Sequence, residues 1–274
     1  MTFKQWIKSP KAYVAAALAV YLLIASLGTL DPKGLINGAI SVGVSIVLDI
    51  LFSLIEKRKR ILPDGAAVTG LIIALILGTT TSWPEVALTA AVAILSKHFL
   101  VYKKKPVFNP AAFGLLMSVI IFGTGQSWWG AFGDLPVWMI GFLLIGGYAV
   151  TNRVNKYPQL FSFFAFYFVL QLLMGLYHAG DASDALRPPF INAALFFGFF
   201  MLTDPPTSPI KVKDQIIFGA LSALAGSVVY ALFGGLIYLF IGLLIGNLYK
   251  FLISRFSADN AKAKRPAVTS PKSY

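Results

Sequence analysis

The stretch "SVGVSIVLDILFSLIEKRKRILPDGAAVTGLIIALILGTT" (41–80) decides the fold. An apolar run ends at four consecutive basic residues, Lys57 to Arg60; after Pro63 and Asp64 a second run begins at Gly65 and stops near Thr79. A helix needs about 20 apolar residues to cross the hydrocarbon core. The first run is long enough and the second falls short. Working outward, apolar runs recur along the chain and give ten candidate segments: 13–28, 34–54, 65–79, 84–102, 108–124, 135–151, 158–178, 189–203, 214–233 and 235–254. Each must be helical, because a backbone in lipid has to satisfy its own hydrogen bonds.

Composition agrees. The chain is 57% hydrophobic and 12% charged, with a mean hydropathy of +0.76, whereas soluble domains average about 45–50% apolar and about 25% charged. Membrane lipid is therefore the first partner. The net charge of +12 does not imply nucleic acid, because the basic residues lie between apolar runs, where they set orientation. With no cysteine, disulfides, thiolate nucleophiles and iron–sulfur clusters are excluded. The two histidines, His98 and His178, fall toward opposite faces and cannot share a haem.

Ten segments that start inside predict which loops are basic. Of the 23 Lys and Arg, all but Lys33, Lys97 and Arg187 fall in predicted inside stretches: the N-terminus, 57–60, 103–105, Arg153 with Lys156, Lys211 with Lys213, and the C-terminal tail. Outer loops carry Asp31, Glu85, Asp134, Asp181 and Asp184. This bias predicts a multi-pass protein of the plasma membrane with both termini cytoplasmic. The first segment has the basic lead of a signal peptide, but Ser26 and Gly28 make a weak cleavage site, and we expect it to stay as a span. Residues 1–254 read as one membrane domain and 255–274 as a basic, disordered tail.

The third segment and the eighth (189–203) are both short, and each is third in a set of five. Five is odd, so the repeats, about 13–124 and 135–254, would run with inverted topology. Paired short segments at matching positions point to a binding site at mid-membrane. Three polar strings lie toward the basic side. "LPDGAAVTG" (62–70) supplies a helix start at Pro63 and Asp64, a close-approach residue at Gly65, and Thr69 one turn on. "FNPAAFG" (108–114) offers Asn109 as an N-cap with Pro110 in the first turn. "LTDPPTSP" (202–209) ends the eighth segment and exposes Thr203, Asp204 and Thr207. Each string alone is an ordinary cap or turn; together they suggest a site. Asp49, Lys97 and His98 are charged or ionisable groups inside segments, which mark function by default unless they pair with each other or reach the interface. No nucleotide, hydrolase or zinc-protease motif occurs, so no catalytic residue is assigned.

The strings "LPDGAAVTGL", "SKHFLVYKKKPVFNPAAFG" and "LTDPPTSP" followed by "FGALSALAGSVVY", in this order, resemble the RnfD/NqrB family over about residues 40–250. Its members are membrane subunits of the Rnf ferredoxin:NAD oxidoreductase and the sodium-translocating NADH:quinone reductase. The resemblance implies an all-α fold of two inverted five-helix halves, similar to urea transporters, and a role in flavin-dependent electron transfer coupled to ion translocation. It also implies other redox subunits, or a flavinylated extracytoplasmic protein, as partners. The family attaches FMN to a threonine in an S/T-G-A-T motif after the fifth segment; here that loop reads "GTGQSWWGAFGDLP" (123–136), so covalent FMN is not expected. What carries over is a non-covalent flavin, riboflavin or FMN, near "FNPA", with Asn109 named first, then Asp64, Gly65, Thr69, Thr203, Asp204 and Thr207. The alternative is a channel or carrier for a small solute or ion without redox chemistry.

Overall fold

The computed structural model describes residues 9–59, 61–178 and 186–263, with side chains as far as Ser257. Ten helices follow one another: α1 (Pro10–Thr29), α2 (Lys33–Ile55), α3 (Asp64–Ile76), α4 (Trp83–Phe99), α5 (Pro110–Phe122), α6 (Ile140–Val154), α7 (Tyr157–Leu176), α8 (Phe190–Phe196, continued by a π-helical stretch Phe197–Leu202), α9 (Val212–Phe233) and α10 (Ile237–Ala263). Between α4 and α5 a hairpin of β1 (Val101–Tyr102) and β2 (Lys105–Pro106) forms the only sheet among the described residues. Among the described residues six helices are long and apolar enough to cross a membrane: α1, α2, α6 with the turn before it, α7, α9 and α10. The chain is an all-α polytopic membrane protein.

Local chemistry sets the ends. Ser9 accepts from the Ala12 N–H at 3.3 Å, and Pro10 follows it at the start of α1. Glu85 turns back onto the Ser82 N–H at 3.1 Å to open α4. Gly123, in the left-handed region at φ 65°, closes α5. At the other end of the chain, α10 continues to Ala263, beyond residue 255 where the tail was expected to begin. Residues 264–274, and Lys4, Lys8, Arg60, Asp181 and Asp184 of the charge reading, lie outside the described residues.

Helix α2 shows how a span is shaped for this interior. Asn37, Ser41, Ser45, Asp49 and Ser53 recur every four residues and are all buried, while Ile36, Val47, Leu51 and Leu54 are exposed to the lipid side. In lipid, apolar burial no longer drives helix association; close packing and interhelical hydrogen bonds do. Accordingly the Ser41 hydroxyl donates to the Gly70 carbonyl of α3 at 2.9 Å, and Asn37 donates to the Thr79 and Thr81 carbonyls at 3.3 and 3.2 Å. A Cβ on Gly70 would lie 2.7 Å from Val42 Cα and 2.9 Å from the Ser41 carbonyl oxygen, both backbone atoms that cannot yield. Gly70→Val is expected to destabilise by about 2–3 kcal/mol through overpacking; thermal melting in mild detergent measures it, and an unchanged midpoint would show the helices can separate.

The same packing recurs in both halves. Helix α2 packs on α4 as α7 does on α9, α4 on α5 as α9 does on α10, and α1 on α3 as α6 does on α8. The halves meet through α1 against α6 and α5 against α10, each helix touching its own counterpart. Direction is reversed between the halves. The start of α1 and the end of α6 lie at one cavity, together with the start of α3 and the end of α8.

Helices α3 (13 residues) and α8 with its π-helical continuation (7 and 6 residues) are both too short to cross, at about 20 Å against a core of about 30 Å; α5, expected from the sequence to span 108–124, is also only 13 residues long. Both are shielded: Gly70 to Ile76 and Phe196 to Leu202 are entirely buried. Broken backbone at membrane depth is tolerated only where protein or water covers it. The loop 123–136 provides that cover for α3. The N–H groups of Ser127 and Trp128 both donate to the Ile76 carbonyl, at 2.9 and 3.1 Å, and the Trp129 indole donates to the Ala74 carbonyl at 2.8 Å. Thus the loop 123–136 folds inward as a plug, with Trp128 and Phe132 buried. For α8 the equivalent carbonyl, that of Leu202, accepts from Gln159 of α7.

Candidate functional site

The ends of α3, α5, α6 and α8 converge with the start of α1 on a cavity of about 570 Å³ at the basic end of the bundle. Its body is apolar, formed by Val14, Val68, Ile72, Val150, Val154 and Phe200. Six residues singled out from the sequence line it: Gly65, Thr69, Lys97, Asn109, Thr203 and Asp204. Three strings separated by many residues in sequence thus form one wall.

Asp64, Thr207 and Asp49 stand directly behind that wall. Asp64 accepts from Lys11 Nζ at 2.8 Å and from the Gly65 N–H at 2.7 Å. Thr69 donates its hydroxyl to the Gly65 carbonyl at 3.0 Å, and Thr203 donates to the Phe199 carbonyl at 2.6 Å, so both face the cavity as acceptors. The Thr207 hydroxyl donates to Asp204 Oδ2 at 2.7 Å. Burial holds the Asp204 carboxyl above its usual range, against the bond from Thr207 and the fields of Lys11, Lys250 and Lys156, which act to lower it.

Asn109 is committed to the protein rather than to the cavity. Its side-chain oxygen caps α5 at the Ala112 N–H (3.1 Å), its amide N–H₂ lies 3.4 Å from the Met201 carbonyl, and its own N–H donates to Asn247 Oδ1 at 2.8 Å. Asn247 in turn donates to the Thr207 carbonyl at 3.0 Å. This latch ties α5, α8, α10 and the 204–209 segment together. Lys250 donates to the Pro206 carbonyl at 2.7 Å, and Lys156 donates to the Pro209 carbonyl.

Burial pulls the Lys156 ammonium down to about 8, with Lys250 and Lys105 lowering it further and Asp204 opposing. A lysine whose folded value lies below its unfolded one of about 10.4 costs stability in full below pH 8. That cost is relieved as pH rises from about 8 toward 10.4. Lys156→Gln should therefore lack the upward slope of melting temperature across this window that the parent shows; equal slopes would refute the assignment.

The intramembrane charges pair with one another. Asp49 Oδ1 accepts from Lys97 Nζ at 2.7 Å and faces His98 Nε2 at 2.9 Å, while His98 Nδ1 faces Glu56 Oε1 at 2.7 Å. The imidazole stacks on Phe52, with ring centroids 4.9 Å apart. His98 does not reach the cavity; Lys97 does. No group of metal-ligating residues occurs among the described residues.

The family model of NQR2, RnfD and RnfE matches the chain twice, over residues 4–136 and 130–262. The chain belongs to the NQR2, RnfD, RnfE family. Among curated proteins none matches it. For a member of the NQR2, RnfD, RnfE family, the two matches meet near residue 130, inside the plug loop between the two sets of five helices.

Four cavity cations escaped the sequence reading: Lys11, Arg58, Lys104 and Lys105. They had been read as orientation signals, and nothing in a basic loop distinguishes a lysine facing a cavity from one facing water. Asn247 also escaped, although an Asn within the apolar run of α10 was a visible signal. Lys103 and Lys104 make the two-residue turn of the β-hairpin, at φ 50° and 63°. The left-handed region costs a residue with a Cβ roughly 1–2 kcal/mol, and such turns ordinarily use Asn-Gly.

Proposed function

We propose that this NQR2, RnfD, RnfE family subunit binds a flavin without a covalent link in the cavity and supports electron transfer through a membrane complex, coupled to ion movement. What supports the reading is the cavity itself. The family strings, far apart in the chain, meet around one amphipathic space at the junction of the two halves, and its volume of about 570 Å³ lies within the range of small-molecule sites. The residues present fit a flavin: aliphatic side chains and Phe200 to enclose a flat ring system, and Asp204, Lys97, Thr69 and Thr203 to address its polar edge. When bound, a flavin supplies one- and two-electron redox chemistry. The chain's own residues enclose it, exclude water, and set the charge around it through Asp204 and Lys97. Covalent FMN is not part of this reading, because no S/T-G-A-T string occurs in the sequence.

Within the proposal the basic end faces the cytoplasm of a cell whose plasma membrane holds the chain, and other redox subunits or a flavinylated extracytoplasmic protein supply and accept the electrons. The visible spectrum of protein purified in mild detergent tests it. Absorbance bands near the flavin region that bleach on reduction are expected. A colourless preparation that takes up no added flavin would refute it, and solute flux through such protein in liposomes would favour a channel or carrier built on the same two broken helices.

A further inference from the structure

Lys97 reaches the cavity wall, and a run of contacts leads away from it through the protein. Its Nζ donates to Asp49 Oδ1 at 2.7 Å, the same oxygen that His98 Nε2 meets at 2.9 Å. The other ring nitrogen, Nδ1, meets Glu56 Oε1 at 2.7 Å. All three separations are within the reach of a proton transfer. The side chains of His98 and Asp49 are 1% and 5% exposed, whereas that of Glu56, just past the end of α2, is 35% exposed. The run therefore begins at water, passes two side chains sealed from it, and ends at Lys97 in the cavity.

An ion pair would need only Asp49 and Lys97. The histidine adds a ring with a carboxylate oxygen on each nitrogen, and its stacking on Phe52 holds both contacts at once. Imidazole takes a hydrogen at one nitrogen while giving one from the other. An amide or an ammonium in its place could bond the two carboxylates but could not pass a proton between them. The charged groups around the run are already placed. Arg58 bonds the second oxygen of Glu56, Lys11 bonds Asp64 at the start of α3, and α5, which also packs on α4, carries no titratable side chain.

We propose that Glu56, His98, Asp49 and Lys97 form a proton path between water at the basic end of the bundle and the wall of the cavity. Its substrate is the proton, and it serves any cavity ligand that gains or loses hydrogen, so it does not rest on that ligand being a flavin. The transfer starts with the ring hydrogen on Nε2. His98 Nδ1 binds a proton that Glu56 has taken from water, and the Nε2 hydrogen passes to Asp49 Oδ1. Asp49 hands it to Lys97 Nζ, which has given one of its own to an acceptor in the cavity. Each bond to hydrogen that breaks is matched by one that forms, and no electron moves. One proton enters at Glu56 for each one that leaves Lys97. Return of a proton from the cavity runs the same transfers backward and restores the first tautomer.

The experiment follows hydrogen exchange with water at the two ring nitrogens of His98. It uses nuclear magnetic resonance with isotopically labelled histidine, on the full chain in mild detergent and without added flavin. The chain has two histidines, and His178→Gln leaves His98 as the one observed. Each nitrogen reports one end of the path, and both are expected to exchange rapidly in spite of the burial. Glu56→Gln should slow exchange at Nδ1 by about tenfold or more, because an amide does not relay a proton, and Glu56→Asp should restore it. Lys97→Arg keeps a positive charge beside Asp49 but does not give up a proton, so exchange at Nε2 should slow by as much. A cluster that serves stability alone would leave both rates unchanged in both variants, and that result overturns the path. A parent in which either nitrogen exchanges slowly overturns it as well. So does a response confined to Nδ1, which would make the run a dead end at the surface. Melting of each variant on the same samples shows that it is folded. If Lys97→Arg is not, Asp49→Asn/Lys97→Met removes both charges together, closes the same end and carries the same expectation at Nε2.

Discussion

Lys97→Met is expected to destabilise the protein by about 3–5 kcal/mol, the cost of leaving a buried charge without its partner. The cluster explains why. Both nitrogens of His98 face carboxylate oxygens, Asp49 at 2.9 Å and Glu56 at 2.7 Å. Glu56 has a cation of its own in Arg58, whereas Lys97 is the cation that meets the buried Asp49 carboxylate, from the cavity side at 2.7 Å. Without it, the carboxylate is left buried with no cationic side chain other than the histidine beside it. Asp49→Asn, which strands the ammonium instead, should cost a comparable amount. The double variant Asp49→Asn/Lys97→Met removes both charges and should recover most of the loss, because a buried pair is worth less in total than its rupture costs. Thermal melting of the four proteins in one detergent gives the coupling directly. Additive losses would mean that the two charges are solvated separately and that the contact is incidental.

The second large effect is expected at a residue that touches no ligand. Asn247→Leu removes the acceptor of the Asn109 N–H and the donor to the Thr207 carbonyl. Both backbone groups are buried, and each costs about 1–3 kcal/mol when left unpaired. The loss should reach the cavity as well, because the latch holds the 204–209 segment that carries Asp204. Asn247→Leu is expected to melt well below the parent and, if flavin binds as proposed, to lose most of it on purification. Asn109→Ala breaks the α5 cap instead, at about 1 kcal/mol. Its own N–H and the bond to Asn247 survive, so it should be milder. A variant at 247 that keeps both stability and flavin would show that the wall is held by packing alone.

Some features were legible because the bilayer leaves few choices. Run lengths of apolar residues indicate ten helices, and ten are present among the described residues, with α3 and α8 short as their sequences indicate and α5, expected as a full span, short as well. The strings around Asp64, Asn109 and Asp204 were visible as helix starts and a helix stop. They had to be chemically unusual, since polar turn residues are costly at those depths. The period-four stripe Asn37, Ser41, Ser45, Asp49 and Ser53 was equally present in the sequence, yet it disappears when α2 is judged by average hydropathy. Its meaning depends on which face meets a neighbour.

What the chain determined by itself is its solvent, the number and order of its helices, and the sites where they break, because each follows from local hydrophobicity and backbone hydrogen bonding within one segment. Only the tertiary structure decided that the breaks share one cavity, that Asn109 serves the protein through Asn247 across 138 residues of sequence, and that Lys104 faces the space its neighbours enclose. Charge and hydrogen bonding act through distance in space, and a linear string does not record how its distant parts come together.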